Sequence, residues 1–525
     1  MHFIETEDYS TPEARAARYP WGAPPPKIDE ALIKETVTAD VAIIGGGISG
    51  MATGARCTQL GQSVVIVDKY HGIVSHGAQI GSVGSRCQRE HGVIIDKKQF
   101  ARDWMRSCGS RVNEELLWLF INRSEEAFEW MLECGGDAVE AKLYGGYYKG
   151  PDFTEYPGTH LIYQKPESKV YEHRNGAVLM CEIFQKVIFD GGQRIDRSIT
   201  AKYLEKDESG RVVSFIAQDA EGNYRRYVGK KAVVLATGDI GDDREMMRYF
   251  APLALLPRHN GYYPPHLNTG DGHKMAYWAG AEYDRHEWAV CLHLIAYSLY
   301  AFFFLYVNQD GRRYMNEDTC AQAKAIRTLM QPDGQWAFSV FDSRWVEQVR
   351  YLKNLSGGQF CDSLNVQYGE PWKEEDNDIV ASVERAIQRG NGFRADTLEE
   401  LAEQMGVPVD NLKETVSRYN QMYQQQNDTD FGKRTALLTP IDKPPYYALK
   451  FGPSLLGIYG GVITDAKLRV LDSSSKPIPG LLAVGMIAGG LYGVDYPLTL
   501  NGNAHGRCIT WGLQAADTIA NGDTL

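Results

Sequence analysis

The chain has 525 residues, 43% hydrophobic and 23% charged, enough to bury a large core divided between two or more domains. Its 55 basic and 67 acidic residues leave a net charge of −12 with no basic run longer than a pair, which argues against nucleic acid as a partner. Nine cysteines scattered without a C-x-x-C offer no haem c or iron–sulfur site, no metal site is expected, and free thiols in a reducing compartment follow.

Met1 to Val37 lacks a charged segment followed by an apolar one, so it does not read as an intact export signal. The chain is read as cytoplasmic, or as exported if a leader has been removed. Residues 1–37 form an N-terminal arm in this reading, with Pro20-Trp-Gly-Ala-Pro-Pro-Pro-Lys27 extended against the body.

Asp40 to Lys69 is the most informative stretch. Asp40-Val-Ala-Ile-Ile44 has no polar face and suits a strand buried on both sides of a parallel sheet. Gly45, Gly47 and Gly50 then form G-x-G-x-x-G, with Ser49 in the opening turn of the helix that follows. The first glycine allows the tight turn, the second lets backbone approach a pyrophosphate, and the third lets helix pack on strand. Asp68 ends the next apolar run at the spacing where an acid takes ribose hydroxyls. Strand, glycines, helix, strand and acid in register describe a dinucleotide site.

Further along, Ala232-Val-Val-Leu-Ala-Thr-Gly238 reads as a buried strand ending in a small-residue turn. The most apolar stretch, Leu292 to Val307, carries His293, Tyr297, Ser298, Tyr300 and Tyr306 and is too short to span a bilayer, so no membrane span is expected. Thr397-Leu-Glu-Glu400 looks like a capping box, Asp410 begins another helix, and Gln421 to Asp430 reads as a polar, mobile return. Pro479 to Gly485 reads as a turn and a buried strand, and Asn501-Gly-Asn-Ala504 opens a helix running through Ala516. A helix N-terminus there would stabilise negative charge on a reduced flavin's pyrimidine edge, which points to a resident flavin.

These segments, with Thr269-Gly-Asp-Gly272, Asn308 to Glu317, Glu414 to Asn420 and Gly460 to Asp465, carry a family resemblance from about Thr38 to the C-terminus. The chain resembles the flavoproteins related to soluble fumarate reductase, the succinate dehydrogenase flavoprotein, urocanate reductase and the ketosteroid dehydrogenases. The resemblance implies an α/β fold: a Rossmann-like FAD-binding domain built from two separated segments, 38–284 and 434–525, with an inserted α+β capping domain at 285–433. It implies FAD as cofactor. It places His76, Gly77, Gly81, Ser82, Thr237, Gly238, Asp271, Ala504 and His505 on flavin-lining positions. Non-covalent FAD is expected, although His76 resembles the site where membrane succinate dehydrogenases attach FAD through histidine. Met486 stands where the family usually has an acid that holds the ribityl chain.

At the substrate site the chain departs from the fumarate reductases. Ser454 to Gly460 contains no histidine and Gly490 to Ala504 no arginine, where those enzymes hold a dicarboxylate. An anionic substrate would lose charge-assisted bonds of roughly 1.5–3 kcal/mol each. Instead Tyr496-Pro497 is similar to a segment of ketosteroid dehydrogenases in which a tyrosine polarises a ketone. Leu292 to Val307 and Leu143 to Tyr148 would line an apolar slot. The resemblance assigns Glu317 to proton delivery, and Arg344 lies near the region supplying the family's acid arginine.

The expected activity is reduction of a C=C conjugated to a carbonyl, or the reverse dehydrogenation, on a neutral and possibly steroid-like substrate. Electrons would pass through a separate donor or acceptor, a nicotinamide, flavin or quinone system. One alternative is an ene-reductase for a monocarboxylate of urocanate or cinnamate type, which a cation in the cap such as Lys324 or Arg327 would favour. The other is a flavin electron-relay protein without a substrate.

Overall fold

A computed structural model describes residues 11–145, 148–298, 302–356, 367–370 and 379–524. Tyr300, the Gly146-Tyr147 pair within Leu143 to Tyr148, and Cys361, one of the nine cysteines, lie outside them. Among the described residues no helix is long and apolar enough to cross a membrane.

The larger sheet has eight strands, five of them parallel in the order Pro477–Ala483, Tyr224–Leu235, Ile33–Ile44, Val64–Asp68 and Arg194–Arg197. Strand Ile33–Ile44 is central, and Val41, Ala42 and Ile43 are fully buried, as the unbroken apolar run requires. The strand starts within the expected arm, at Ile33, because its first half pairs in parallel with Tyr224 to Gly229. Helix Ile48–Gln59 follows the glycine turn. A Cβ on its Gly54 would stand 2.8 Å from Ile66 Cδ1, and one on Gly512 of helix Asn503–Ala520 would stand 2.9 Å from the Thr53 amide. Two small residues thus let helices Ile48–Gln59 and Asn503–Ala520 lie close on the same sheet.

Ahead of this sheet, helix Pro12–Arg18 leads to Tyr19 and Trp21, whose rings stack at 4.9 Å and pack on Tyr249 and Phe250. Trp278 Nε1 donates to Trp21 O at 2.8 Å, which fastens the proline-rich arm to the body.

A second sheet is organised by strand Tyr446–Tyr459, antiparallel to Ala289–Ala296, Ala337–Asp342 and Gly392–Ala395, with Leu305–Val307 beyond. This organising strand lies after Lys433, within the segment that the resemblance assigns to the second part of the FAD-binding domain. Around it pack helices Leu398–Met405 and Val409–Gln425. Thr397 caps the first by accepting the Glu400 amide at 3.2 Å, while Glu400 reaches back to the Asp396 amide instead of closing a capping box on Thr397. The expected polar return is helical to Gln425 because Tyr419 and Met422 are buried on that helix's inner face. A small third sheet joins Gln79–Gly81, Thr159–Gln164 and Val139–Leu143.

Candidate functional site: a dinucleotide cleft roofed by tyrosines

The glycine turn has the geometry its spacing requires. Gly45 has φ +110° and a Cβ there would strike the Ala236 carbonyl, while a Cβ on Gly50 would strike the Gly45 carbonyl oxygen. Gly47 is different, because nothing stands within 4 Å of where its Cβ would be. Gly47 caps helix Ile48–Gln59 with no side-chain hydrogen bond, so the first-turn amides face open space. That cradle suits a pyrophosphate.

Asp68 closes the turn from beside it. Its Oδ2 accepts the Gly46 amide at 2.5 Å and its Oδ1 the Tyr70 amide at 2.7 Å. Lys69 next to it bonds Thr269 Oγ1 at 2.7 Å and Asp271 Oδ2 at 3.0 Å. Burial would push the Asp271 carboxyl up, but Lys69 and Thr269 more than offset it and hold it below the usual range. Asp271 therefore stays ionised at one end of the cleft. Thr237, between Leu235 and the αL turn at Gly238 (φ +76°), presents a buried Oγ1 with no hydrogen-bond partner against Gly272.

Three distant pieces meet at the other end. Gly485 has φ +75°, and a Cβ there would lie 2.8 Å from Ser49 Cβ, so Gly485 and the half-buried Met486 rest on the start of helix Ile48–Gln59. Gly81 donates to Gly502 O at 2.8 Å, and a Cβ on it would lie 2.9 Å from Asn503 Cα. Ser82 is fully buried with an unpartnered Oγ. His505 Nδ1 bonds Gln79 O at 2.6 Å, and its Cε1 would stand 3.0 Å from a Cβ on Gly77. Burial lowers the pKa of both His76 and His505, which keeps these neighbouring rings neutral. Helix Asn503–Ala520 begins after Gly502 (φ +74°) without a side-chain cap, its Ala504 amide turned to the Tyr496 hydroxyl. Two uncapped helix starts and orphaned hydroxyls fit an extended anion with a polar ring.

Asn503 locks this corner. Its amide donates to Pro497 O at 3.0 Å and Leu500 O at 2.7 Å, and its carbonyl oxygen accepts the Tyr492 hydroxyl at 2.6 Å. Tyr496 packs on Tyr459 at 4.6 Å and Tyr492 at 5.7 Å between ring centroids. Burial pushes its phenol up, with the Ala504 amide and Arg507 pulling the other way. Arg507, absent from the sequence reading, is fully buried with Nε and Nη2 lacking hydrogen-bond partners. Its guanidinium lies 4.7 Å over the Tyr492 ring and 5.9 Å over Tyr459, and Nη1 donates to Ala488 O at 3.2 Å. The available signal was its place in the second turn of the helix, since long helical side chains point back toward the N-terminus.

Glu317 and Arg344 do not join this corner. Glu317 is fully buried, held by Arg313 at 2.9 Å through both oxygens and by Lys433 at 3.3 Å, while Arg313 also grips Asp428 at 2.8 Å. Burial would raise its carboxyl, but Lys433 and Arg313 outweigh that and hold it ionised. A carboxylate so engaged has no proton to give. Arg344 pairs with Asp342 and Asp442 with its side chain 29% exposed. Asp342 pairs with Tyr446, at the opposite end of strand Tyr446–Tyr459 from the ring that touches Tyr496. At about 3.3 Å per residue, that 14-residue strand separates them by roughly 40 Å. Arg344, expected near the reacting carbon, pairs in the second sheet with Asp342 and Asp442.

The two cap cations also divide. Arg327 is exposed, whereas Lys324 is buried, donates to Phe302 O at 3.1 Å and lies 5.5 Å over the Tyr306 ring. Burial, aided by Lys433, lowers its pKa to about 7. All eight described cysteines are free.

Comparison with known proteins agrees with this geometry. A family model described as an FAD binding domain matches residues 40–502. A probable fumarate reductase of Shewanella frigidimarina is 26% identical over 94% of this chain and 77% of its own length. A vinyl phenol reductase of Lactiplantibacillus plantarum is 24% identical over 90% of this chain and 93% of its own. Among solved structures, 3-ketosteroid-delta4-(5alpha)-dehydrogenase of Rhodococcus jostii RHA1 superposes with a TM-score of 0.69 at 22% identity, covering 94% of this chain and 99% of that one, and shares the fold.

Proposed function

The chain belongs to the family of FAD binding domains and is an FAD-dependent oxidoreductase acting on C=C bonds, and we propose that its substrate is a neutral, apolar enone. The observation that carries this reading is the tyrosine roof, with Tyr496 on Tyr459 and Tyr492 at the start of helix Asn503–Ala520. Ser454 to Gly460 brings no histidine and Gly490 to Ala504 no arginine, where the fumarate reductases would hold a dicarboxylate. Arg507 lies over the Tyr492 and Tyr459 rings and gives Nη1 to Ala488 O, with Nε and Nη2 left without hydrogen-bond partners. Lys324 is engaged by Phe302 O.

Bound FAD supplies the hydride that such a reduction needs. Gly45, Gly47, Ser49 and Gly50 would hold its pyrophosphate, Asp68 and Asp271 the adenosine end, and Gly77, Gly81, Ser82, Thr237, Gly238, Met486, Ala504 and His505 the rest. Tyr496 would donate to the ketone oxygen, where charge develops as the enolate forms. Elements of the larger sheet would hold the cofactor, and the sheet around Tyr446–Tyr459 would cover the substrate and exclude water. Reducing equivalents would come from a separate carrier. The test is anaerobic reoxidation of the dithionite-reduced protein by steroid enones, cinnamates and fumarate. Enones are expected to reoxidise it fastest, and preference for fumarate would refute the reading.

A further inference from the structure

Asp495 precedes Tyr496 in the loop that leads into helix Asn503–Ala520. Its Oδ1 accepts the Tyr496 amide at 2.8 Å and Gln322 Nε2 at 2.9 Å. Gln322 is itself fixed, donating to Val290 O at 2.7 Å and accepting the Leu292 amide at 2.7 Å. Strand Ala289–Ala296 and helix Ala321–Leu329 thus orient a carboxyl whose backbone leads into the C-terminal helix. Among the described residues, Oδ2 receives no hydrogen bond and no cation pairs with the group.

The titratable groups that face it are thiols and tyrosine. Cys291 comes from strand Ala289–Ala296, Cys320 caps helix Ala321–Leu329, and Cys108 places Sγ 3.6 Å from Asp495 O. Burial pushes all three thiols up, Cys320 to about 11 and Cys108 to about 12. Burial likewise raises the Asp495 carboxyl, opposed only by the Tyr496 and Gln322 donors. A carboxyl that holds its proton more tightly than usual, with one oxygen fixed by two donors and the other bare, is placed to give a proton. The donors that sequence suggested are unavailable, Glu317 being ionised and Arg344 remote.

We propose that Asp495 protonates the substrate α-carbon while Tyr496 holds the carbonyl oxygen. This rests on the enone reading above. In the step, the Asp495 O–H bond breaks and a C–H bond forms with the electron pair of the enolate C=C. The enolate oxygen returns to a ketone, and the carboxylate recovers its proton from water. With the hydride that reduced FAD supplies to the β-carbon, the substrate gains two electrons and two hydrogens.

The experiment compares wild type, Asp495→Asn and Asp495→Glu. Asparagine keeps an acceptor for Gln322 but carries no acidic proton, so FAD content and melting temperature should hold while anaerobic turnover falls about 10²-fold or more. Glutamate should recover part of the rate. The wild-type rate should fall as pH rises through the raised carboxyl pKa, and Asp495→Asn should lose that limb. In D2O, oxidised wild type should exchange the α-hydrogens of the saturated ketone, followed by NMR, and Asp495→Asn should not. Equal exchange and turnover in the two proteins, or a wild-type rate flat from about pH 5 to 9, would overturn the assignment even if the asparagine variant folds poorly. A wild type inert to every enone overturns the enone reading and this role together, whereas an active wild type matched by Asp495→Asn overturns this role alone.

Discussion

A Cβ on Gly50 would collide with the carbonyl oxygen of Gly45, which fixes helix Ile48–Gln59 against the end of strand Ile33–Ile44. Gly47, between them, has φ −77° and open space in front of it. The two glycines therefore fail differently when substituted. Gly50→Ala should lower the melting temperature through a backbone collision, at a cost of about 1–3 kcal/mol or more. Gly47→Val should fold with near-normal melting and purify without flavin, because its side chain would occupy the pyrophosphate's place. Absorbance at flavin wavelengths against protein content decides it, and full flavin in Gly47→Val would refute the assignment.

His76 and His505 sit together beside Gly77, both neutral by burial. His505 is committed to Gln79 O at 2.6 Å. FAD is accordingly expected to be held by contacts alone and released by acid or heat. In-gel fluorescence of the denatured chain checks this, and flavin that stays with the polypeptide would mean a covalent bond.

The parts of this site that could be read from sequence are local. The fingerprint is contiguous, its strand is apolar from Val41 to Ile44 where it is covered on both faces, and Asn501 to Ala504 announces its helix by composition. Less visible were contacts that join remote segments. Arg313 meets Asp428 across 115 positions, which turns Glu317 from a candidate donor into the centre of an ionic cluster. Gln322 meets Asp495 across 173 positions, and no local pattern marks either residue. Strand Tyr446–Tyr459 mixes Gly and Pro with apolar residues and so resembles loop, although its neighbours on both sides make it a strand.

Glu155 gives a prediction about pH. It is buried, accepts the Tyr148 amide and Asn501 Nδ2, and burial raises its carboxyl from 4.5 to about 8. Below pH 4.5 the folded and unfolded chains both hold this proton. Between 4.5 and 8 the unfolded chain has released it and the folded chain has not, so this group's contribution to stability falls with rising pH. Glu155→Gln removes the titration while keeping an acceptor. Its stability relative to wild type should rise by about 1–3 kcal/mol between pH 5 and 8 and then level off. Denaturant titrations at several pH values measure the gap, and a gap that does not change with pH would show that Glu155 is ionised in the fold.

Tyr496 carries the substrate assignment. Its ring is fixed by Tyr459 and Tyr492, and its phenol lies by the Ala504 amide at the helix start, so Tyr496→Phe should leave packing and FAD content intact. What it removes is one donor to the developing enolate. Turnover of the best enone should fall about 10²-fold or more. The loss should appear mainly in kcat, because the bond strengthens as charge reaches the oxygen and contributes less to ground-state binding. A change confined to KM would make Tyr496 a wall of the slot without a part in the chemistry. Near-normal kcat and KM together would remove the tyrosine roof as an argument for a ketone substrate.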